Sequence, residues 1–182
     1  MTVVPVGLLL LGFPIFIILL ATSLIILLFF MGVPLAAVHQ VMFGSVDKFA
    51  LMAVPFFIFA GELMGIGGIS KRIIDWVLSI IGWVRGSLAL TTVGTCTIFC
   101  AISGSSPATV AAVGRLMYRP LRESGYDEKF STGLLASSGA IAVVIPPSIT
   151  MILYGASAEQ SVALLFIAGF IPGLLMAALM AA

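Results

Sequence analysis

Apolar residues run along this chain in long blocks, and the polar residues between them fall into short clusters. No Lys, Arg, Asp or Glu occurs in residues 1–46, 86–114, 130–158 or 160–182. Residues 3–30 are almost continuously apolar, broken by "LGFP" at residues 11–14. As one helix that run would measure about 42 Å, too long for a ~30 Å hydrocarbon core without strong tilt. The Gly/Pro break therefore predicts a short first span ending near Gly12 and a full second span over 14–32. Residues 32–48, "GVPLAAVHQVMFGSVDK", read as a connecting segment with some helix. Residues 49–66, "FALMAVPFFIFAGELMGI", make the next span, which "GIGG" closes. Residues 161–182 begin one more, bent at Pro172.

The pattern changes at 70–86, "SKRIIDWVLSIIGWVRG". Ile73, Trp76, Val77, Ile80 and Val84 recur at helical spacing on one side, while Lys71, Arg72, Asp75 and Ser79 populate the other. With Trp76 and Trp83 as interfacial anchors, this predicts an amphipathic helix lying along the membrane surface, on the cytoplasmic face by its basic residues.

Residues 87–117 pose a different problem. Arg85 precedes this stretch, and Arg115, Arg119, Arg122 and Lys129 follow it. One crossing would put basic clusters on opposite faces, against the positive-inside tendency; a re-entrant hairpin puts both on one face. Residues 87–101 would span about 22 Å as helix, past mid-membrane but not across, and "PATVAAVGRLM" is shorter. Between them lies "ISGSS", rich in turn formers, with Ser106 and Pro107 as cap and first-turn residue of a returning helix. A single kinked span is the competing reading. Non-helical backbone at that depth survives only where protein or a watery cavity satisfies it. Carbonyls and hydroxyls of Ser103, Ser105 and Ser106 can hold a hard cation, and the free N–H groups from Ser106 onward can meet an anion.

A second charge-free stretch, 130–158, contains "AVVIPPSI". Pro146 and Pro147 offer no N–H, which leaves the carbonyls of Ala142 and Val143 without their helical partners. Ile145 is pushed from helical angles by the proline after it, and Ser148 is placed to cap a new helix. The expected product is a broken transmembrane helix. Its carbonyls at Ala142 and Val143 are further cation candidates; its new N-terminus at Ser148 is, with Ser106, a candidate for an anionic substrate. Paired interruptions of this kind mark the binding site of secondary transporters. Neither stretch holds a carboxylate, so neutral oxygens would bind the ion, which favours Na⁺ over a proton relay. A proline kink that only shapes packing is the alternative for the second break alone.

Composition agrees. The 182 residues are 62% hydrophobic and 8% charged, far from a soluble domain with ~25% charge, so the bilayer is the solvent. The fold class expected is all-α and polytopic. A formal net charge of +1 argues against a nucleic-acid partner. Cys96 and Cys100 read as small apolar helix residues, and His39 as an ordinary polar residue of a loop or interface. Glu62 is either an interfacial carboxylate near Lys71 and Arg72 or an ion ligand at membrane depth. The apolar stretches lack His, a second acid and a nucleophile–base pair, which argues against an enzyme, and no cofactor beyond a coupling ion is implied. A Na⁺/H⁺ exchanger working without a binding protein, a structural assembly subunit and a passive channel stay open as other readings.

"VPFFIFAGELM", "SGSSPATVAAVG", "IPPSI" and "IPGLLM", in this order and spacing, resemble the large membrane subunit of TRAP (tripartite ATP-independent periplasmic) transporters, from about Gly12 onward. The resemblance implies a Na⁺-coupled importer of organic acids such as dicarboxylates or sialic acid, in the bacterial inner membrane, working by an elevator mechanism. Its partners would be a small four-helix membrane subunit and a periplasmic substrate-binding protein. Residues 103–106 would form the hairpin tip, and residues 142–147 the unwound stretch sharing a Na⁺ site with it. Ala142 stands where the family often has Gly. Residues 1–68 would be scaffold, 69–86 the bracing arm, 87–158 the transport region with a cytoplasmic loop at 115–130 and a broken helix over 131–158, and 161–182 the start of a further helix. Family members carry two inverted repeats, and the expectation is that this chain supplies the first.

Overall fold

Proline and glycine set the helix boundaries, because each removes a helical option its neighbours retain. The computed structural model describes residues 3–182, and all regular structure among them is helical. The chain divides into two compact units, 1–48 and 49–182.

In the first unit, α1 (Val3–Leu10) ends before the 11–14 break and α2 (Ile15–Ile25) starts after Pro14. A π-helical turn, Ile26–Phe30, extends α2. The combined 16 residues amount to about 24 Å of helix, shorter than the full second span expected over 14–32. The segment read as a connection is mostly helix, α3 (Leu35–Val46), and His39 lies on it rather than in a loop.

The second unit opens with α4 (Phe49–Ile66) and closes with α10 (Val162–Ala181). These are the two described helices long and apolar enough to cross a membrane. Large apolar side chains stand exposed along both, among them Phe49 at 89% and Leu179 at 78%. Water would penalise such a surface at roughly 25 cal/mol per Å², whereas hydrocarbon does not.

Between them run α5 (Ile69–Ile81), α6 (Ser87–Ser103), α7 (Ser106–Glu123), α8 (Glu128–Ala140) and α9 (Ile149–Ser157). Helices α5 to α8 share one core of Ile74, Cys96, Phe99, Val113, Met117, Leu121 and Leu135. A second cluster joins Val93 and Cys100 of α6 to Ile141, Ala142 and Ile145, with Met176, Ala177 and Met180 of α10 packed against it. Cys96 and Cys100 are buried and unpaired.

Two expectations are corrected here. The amphipathic helix stops at Ile81, where a Gly82-to-Gly86 turn replaces its last residues. Its buried face is Ser70, Ile74 and Val77, while Trp76 and Ile80 point outward. Val77 faces Gly94 of α6, where a Cβ would stand 3.2 Å from Val77 Cγ1. The apolar side is thus shared between α6 and the surroundings. The returning helix, in turn, does not end near Met117 but runs 18 residues to Glu123. Met117 and Leu121 are buried while Arg115, Arg119 and Arg122 stay exposed, so the 115–130 segment is mainly an amphipathic helical extension. Only residues 124–127 link it to α8.

Candidate functional site

Helix α6 ends in a two-residue turn. Gly104 adopts the left-handed conformation at φ 62°, and Ser105 is extended at φ −123°, ψ 118°. The left-handed conformation disfavours any residue with a Cβ. Ser105 then caps α7, its Oγ accepting from the Ala108 N–H at 3.4 Å. The cap therefore lies one residue before the expected Ser106, because Gly104 completes the C-terminal turn of α6 alone and frees Ser105 to leave helical angles. The far ends of the two helices also meet: Tyr126 Oη stands 3.9 Å from where a Cβ on Gly86 would lie. Helices α6 and α7 are therefore a hairpin and not one kinked rod, and their basic flanks share one end.

The second break follows the proline rules closely. Helix α8 ends at Ala140, a 3₁₀ turn covers Ile141–Val143, and α9 begins at Ile149 with Ser148 as cap. Ser148 is fully buried; its Oγ accepts from the Met151 N–H at 3.5 Å and donates to the Val143 carbonyl at 2.8 Å. The Val143 carbonyl, expected to be free, is therefore taken, and its residue is half-exposed. The Ala142 carbonyl is different. Pro146 has no N–H to give it, none of the turn bonds around the break ends on it, and Ala142 is 1% exposed. A buried carbonyl without a donor is uncommon and calls for a ligand, water or ion. The Ile145 carbonyl is likewise left, because the Ile149 N–H turns elsewhere.

It turns to the hairpin. The Ile149 N–H donates to the Gly104 carbonyl at 3.0 Å. A Cβ on Gly104 would lie 2.8 Å from the Pro147 carbonyl oxygen, so only glycine fits between the tip and the break. On the other side, Gly139 near the end of α8 sits against the start of α7, where a Cβ would overlap Val110 Cγ2 and approach the Ser106 carbonyl at 3.5 Å. Two helix C-termini, α6 and α8, thus converge with two N-termini, α7 and α9. Partial negative and partial positive dipole ends lie together at one junction, an arrangement suited to a cation and an anion held side by side.

The expected site residues fall at this junction with unequal freedom. Ser103 is fully buried and its Oγ lies 3.1 Å from Thr109 Oγ1. The Ser105 carbonyl is doubly occupied, accepting from the Thr109 N–H at 3.0 Å and the Thr109 hydroxyl at 2.9 Å. Ser106, Ala142, Ile145, Pro147 and Ser148 line the hairpin start and the break. Sequence reasoning missed Thr109, Gly139 and the Gly104–Ile149 bond. Thr109 carried one readable signal, a hydroxyl placed to bond back to the carbonyl four residues earlier. Glu62 lies apart, beside Gly61 and Gly65 of α4 and opposite Arg115 of α7, where the helices enclose a cavity of about 110 Å³.

Comparison with known proteins supplies the lineage. The family described as "Tripartite ATP-independent periplasmic transporter, DctM component" matches residues 2–182. The chain is 48% identical over 144 residues to an isethionate TRAP transporter permease protein, DctMQ, of Oleidesulfovibrio alaskensis, covering 79% of this chain and 23% of that protein. It is 40% identical to the C4-dicarboxylate TRAP transporter large permease protein DctM of Vibrio cholerae, covering 93% and 38%. It is 44% identical to the ectoine TRAP transporter large permease protein TeaC of Halomonas elongata, covering 93% and 40%. The chain thus spans well under half the length of these relatives.

Proposed function

Because this chain belongs to the DctM-component family of tripartite ATP-independent periplasmic transporters, we propose that it provides one half of the cation and substrate site of a Na⁺-coupled organic-acid importer. The observation that carries this reading is the Gly104–Ile149 hydrogen bond, which joins two discontinuous helices at their ends. Secondary transporters typically build their binding site at such a junction, and irregular backbone inside a membrane must line a cavity or be buried in protein. In this reading the hairpin is re-entrant, and its tip and the 142–147 stretch hold Na⁺ through neutral oxygens. The free carbonyls of Ala142 and Ile145 are the foremost ligands, with Ser103 and Pro147 beside them. Val143 and Ser105 contribute less, because their carbonyls already accept hydrogen bonds. The α7 and α9 N-termini, at Ser106 and Ser148, face the substrate carboxylate. Bound Na⁺ neutralises the α6 and α8 dipole ends and so makes the neighbouring anion site more favourable, which couples the two.

Residues 87–158 would move as the transport region, with α5 as the arm that braces it against the remaining helices in an elevator cycle. The basic 115–130 segment would face the cytoplasm of a bacterial inner membrane. A small four-helix membrane subunit and a periplasmic binding protein would complete the machine.

The test is uptake of a radiolabelled organic acid into proteoliposomes holding the assembled transporter and its binding protein. Uptake should require an inward Na⁺ gradient and disappear when N-methylglucamine replaces Na⁺. Bulky apolar residues at Ser103 or Ser106 should abolish it without blocking membrane insertion. Uptake indifferent to Na⁺ refutes the cation reading; uptake indifferent to the binding protein favours the exchanger-type carrier instead.

A further inference from the structure

Thr109 is fully buried, yet its hydroxyl sits within reach of three groups: the Ser105 carbonyl at 2.9 Å, Ser103 Oγ at 3.1 Å and Cys100 Sγ at 3.5 Å. A threonine hydroxyl has one proton to give. A carbonyl can only accept, so that proton goes to Ser105. Thr109 Oγ1 must then act as acceptor toward the other two, which makes the Ser103 hydroxyl a donor to Thr109. The Ser105 N–H meets Ser103 Oγ in turn at 3.4 Å. The order of this small ring is fixed by elimination. Ser103 has spent its proton and keeps only a lone pair, and Ser105 has both carbonyl lone pairs occupied.

We propose that Thr109 is a positioning residue for ion binding: by fixing this hydrogen-bond order it leaves Ser103 able to present only a lone pair to a cation and withdraws the Ser105 carbonyl from the ligand set. The inference rests on the cation reading above and sharpens it. Without the Thr109 hydroxyl, the Ser103 proton has no acceptor in the ring and turns toward whatever else is near, where it opposes a positive charge. The Ser105 carbonyl, released from its side-chain donor, becomes a competing and misplaced ligand. Thr109 itself touches neither ion nor substrate in this arrangement.

Thr109→Val keeps the shape and deletes the hydroxyl; Thr109→Ser keeps the hydroxyl and deletes a methyl group. In proteoliposomes of the assembled transporter, T109V should raise the Na⁺ concentration for half-maximal uptake about five-fold or more, the worth of roughly one net hydrogen bond, at little change in maximal rate. T109S should stay within about two-fold of the parent by the same measure. A purely structural role predicts another pattern, a lower maximal rate and lower melting temperature in both variants with Na⁺ half-saturation unmoved; that pattern overturns the proposal, as does T109S failing like T109V. If the parent's uptake ignores Na⁺, the cation reading and this inference fall together. If the parent needs Na⁺ and T109V keeps the parent's half-saturation, only the inference falls.

Discussion

Glycine carries the junction at the scale of single residues, and two positions separate close approach from simple presence. Gly104 combines a left-handed backbone with a carbonyl oxygen 2.8 Å from its missing Cβ. Gly104→Ala should therefore lose about 1–2 kcal/mol for the backbone conformation alone and force the tip from the break. The expected outcome is a lower melting temperature in detergent together with loss of coupled uptake. Gly139→Ala should also be harmful, because Val110 Cγ2 stands where its methyl would go. Gly133 lies on the same helix with nothing within 4 Å of where an added methyl would stand, so Gly133→Ala should be neutral or stabilise by up to about 1 kcal/mol through helix propensity. Thermal unfolding of the pair is the check; equal effects would deny the close approach at Gly139. Ser148→Ala removes a cap and strands the Val143 carbonyl at once, a loss of about 1 kcal/mol or more.

At the scale of elements, α7 is the instructive case. Its second half packs Met117 and Leu121 against Ile74 and Phe99 while an arginine row faces outward, with Arg119 paired to Glu123 at 2.8 Å. Leu121→Ala should destabilise by about 2 kcal/mol or more, and Leu116→Ala, on the exposed side, by far less. Glu123→Gln should change stability by less than about 0.5 kcal/mol, since an exposed i, i+4 pair is worth little. Urea or thermal titration in micelles reads all three. This extension was not read from the sequence: the charges around it read as a loop because basic clusters commonly flank spans, although Met117 and Leu121 stand four apart on one helical face. The α5 helix was legible from its periodicity, and the choice of its buried face was not. Both Ile73–Trp76–Ile80 and Ile74–Val77 are apolar, and the fit of Val77 against Gly94 and of Ile74 into the core with Cys96 and Phe99 accompanies the choice of side that meets α6.

At the scale of the whole molecule, the hairpin makes a topological prediction. Cysteines introduced singly at Ser87 and Gly125, in a background lacking Cys96 and Cys100, should both react with an impermeant maleimide from the same side of the membrane. A cysteine at Ser105 should be protected from that side, and its reactivity should fall further when Na⁺ is added. Labelling of Ser87 and Gly125 from opposite sides would deny the re-entrant arrangement.

The sequence by itself determined the solvent, the helical class and the two stretches, 103–106 and 142–147, where a helix is interrupted. Those outcomes follow from short-range rules: apolar runs exclude water, Pro146 and Pro147 withhold N–H groups, and the turn formers of "ISGSS" interrupt a helix locally. Only the tertiary structure decided that the turn and the break touch, that Thr109 orders the hydroxyls at the tip, and which carbonyls remain free. A hydrogen bond between Gly104 and Ile149, or a methyl forbidden at Gly139, depends on how separate helices are laid against one another. That packing is set by the fit of many side chains together, and no local pattern encodes it.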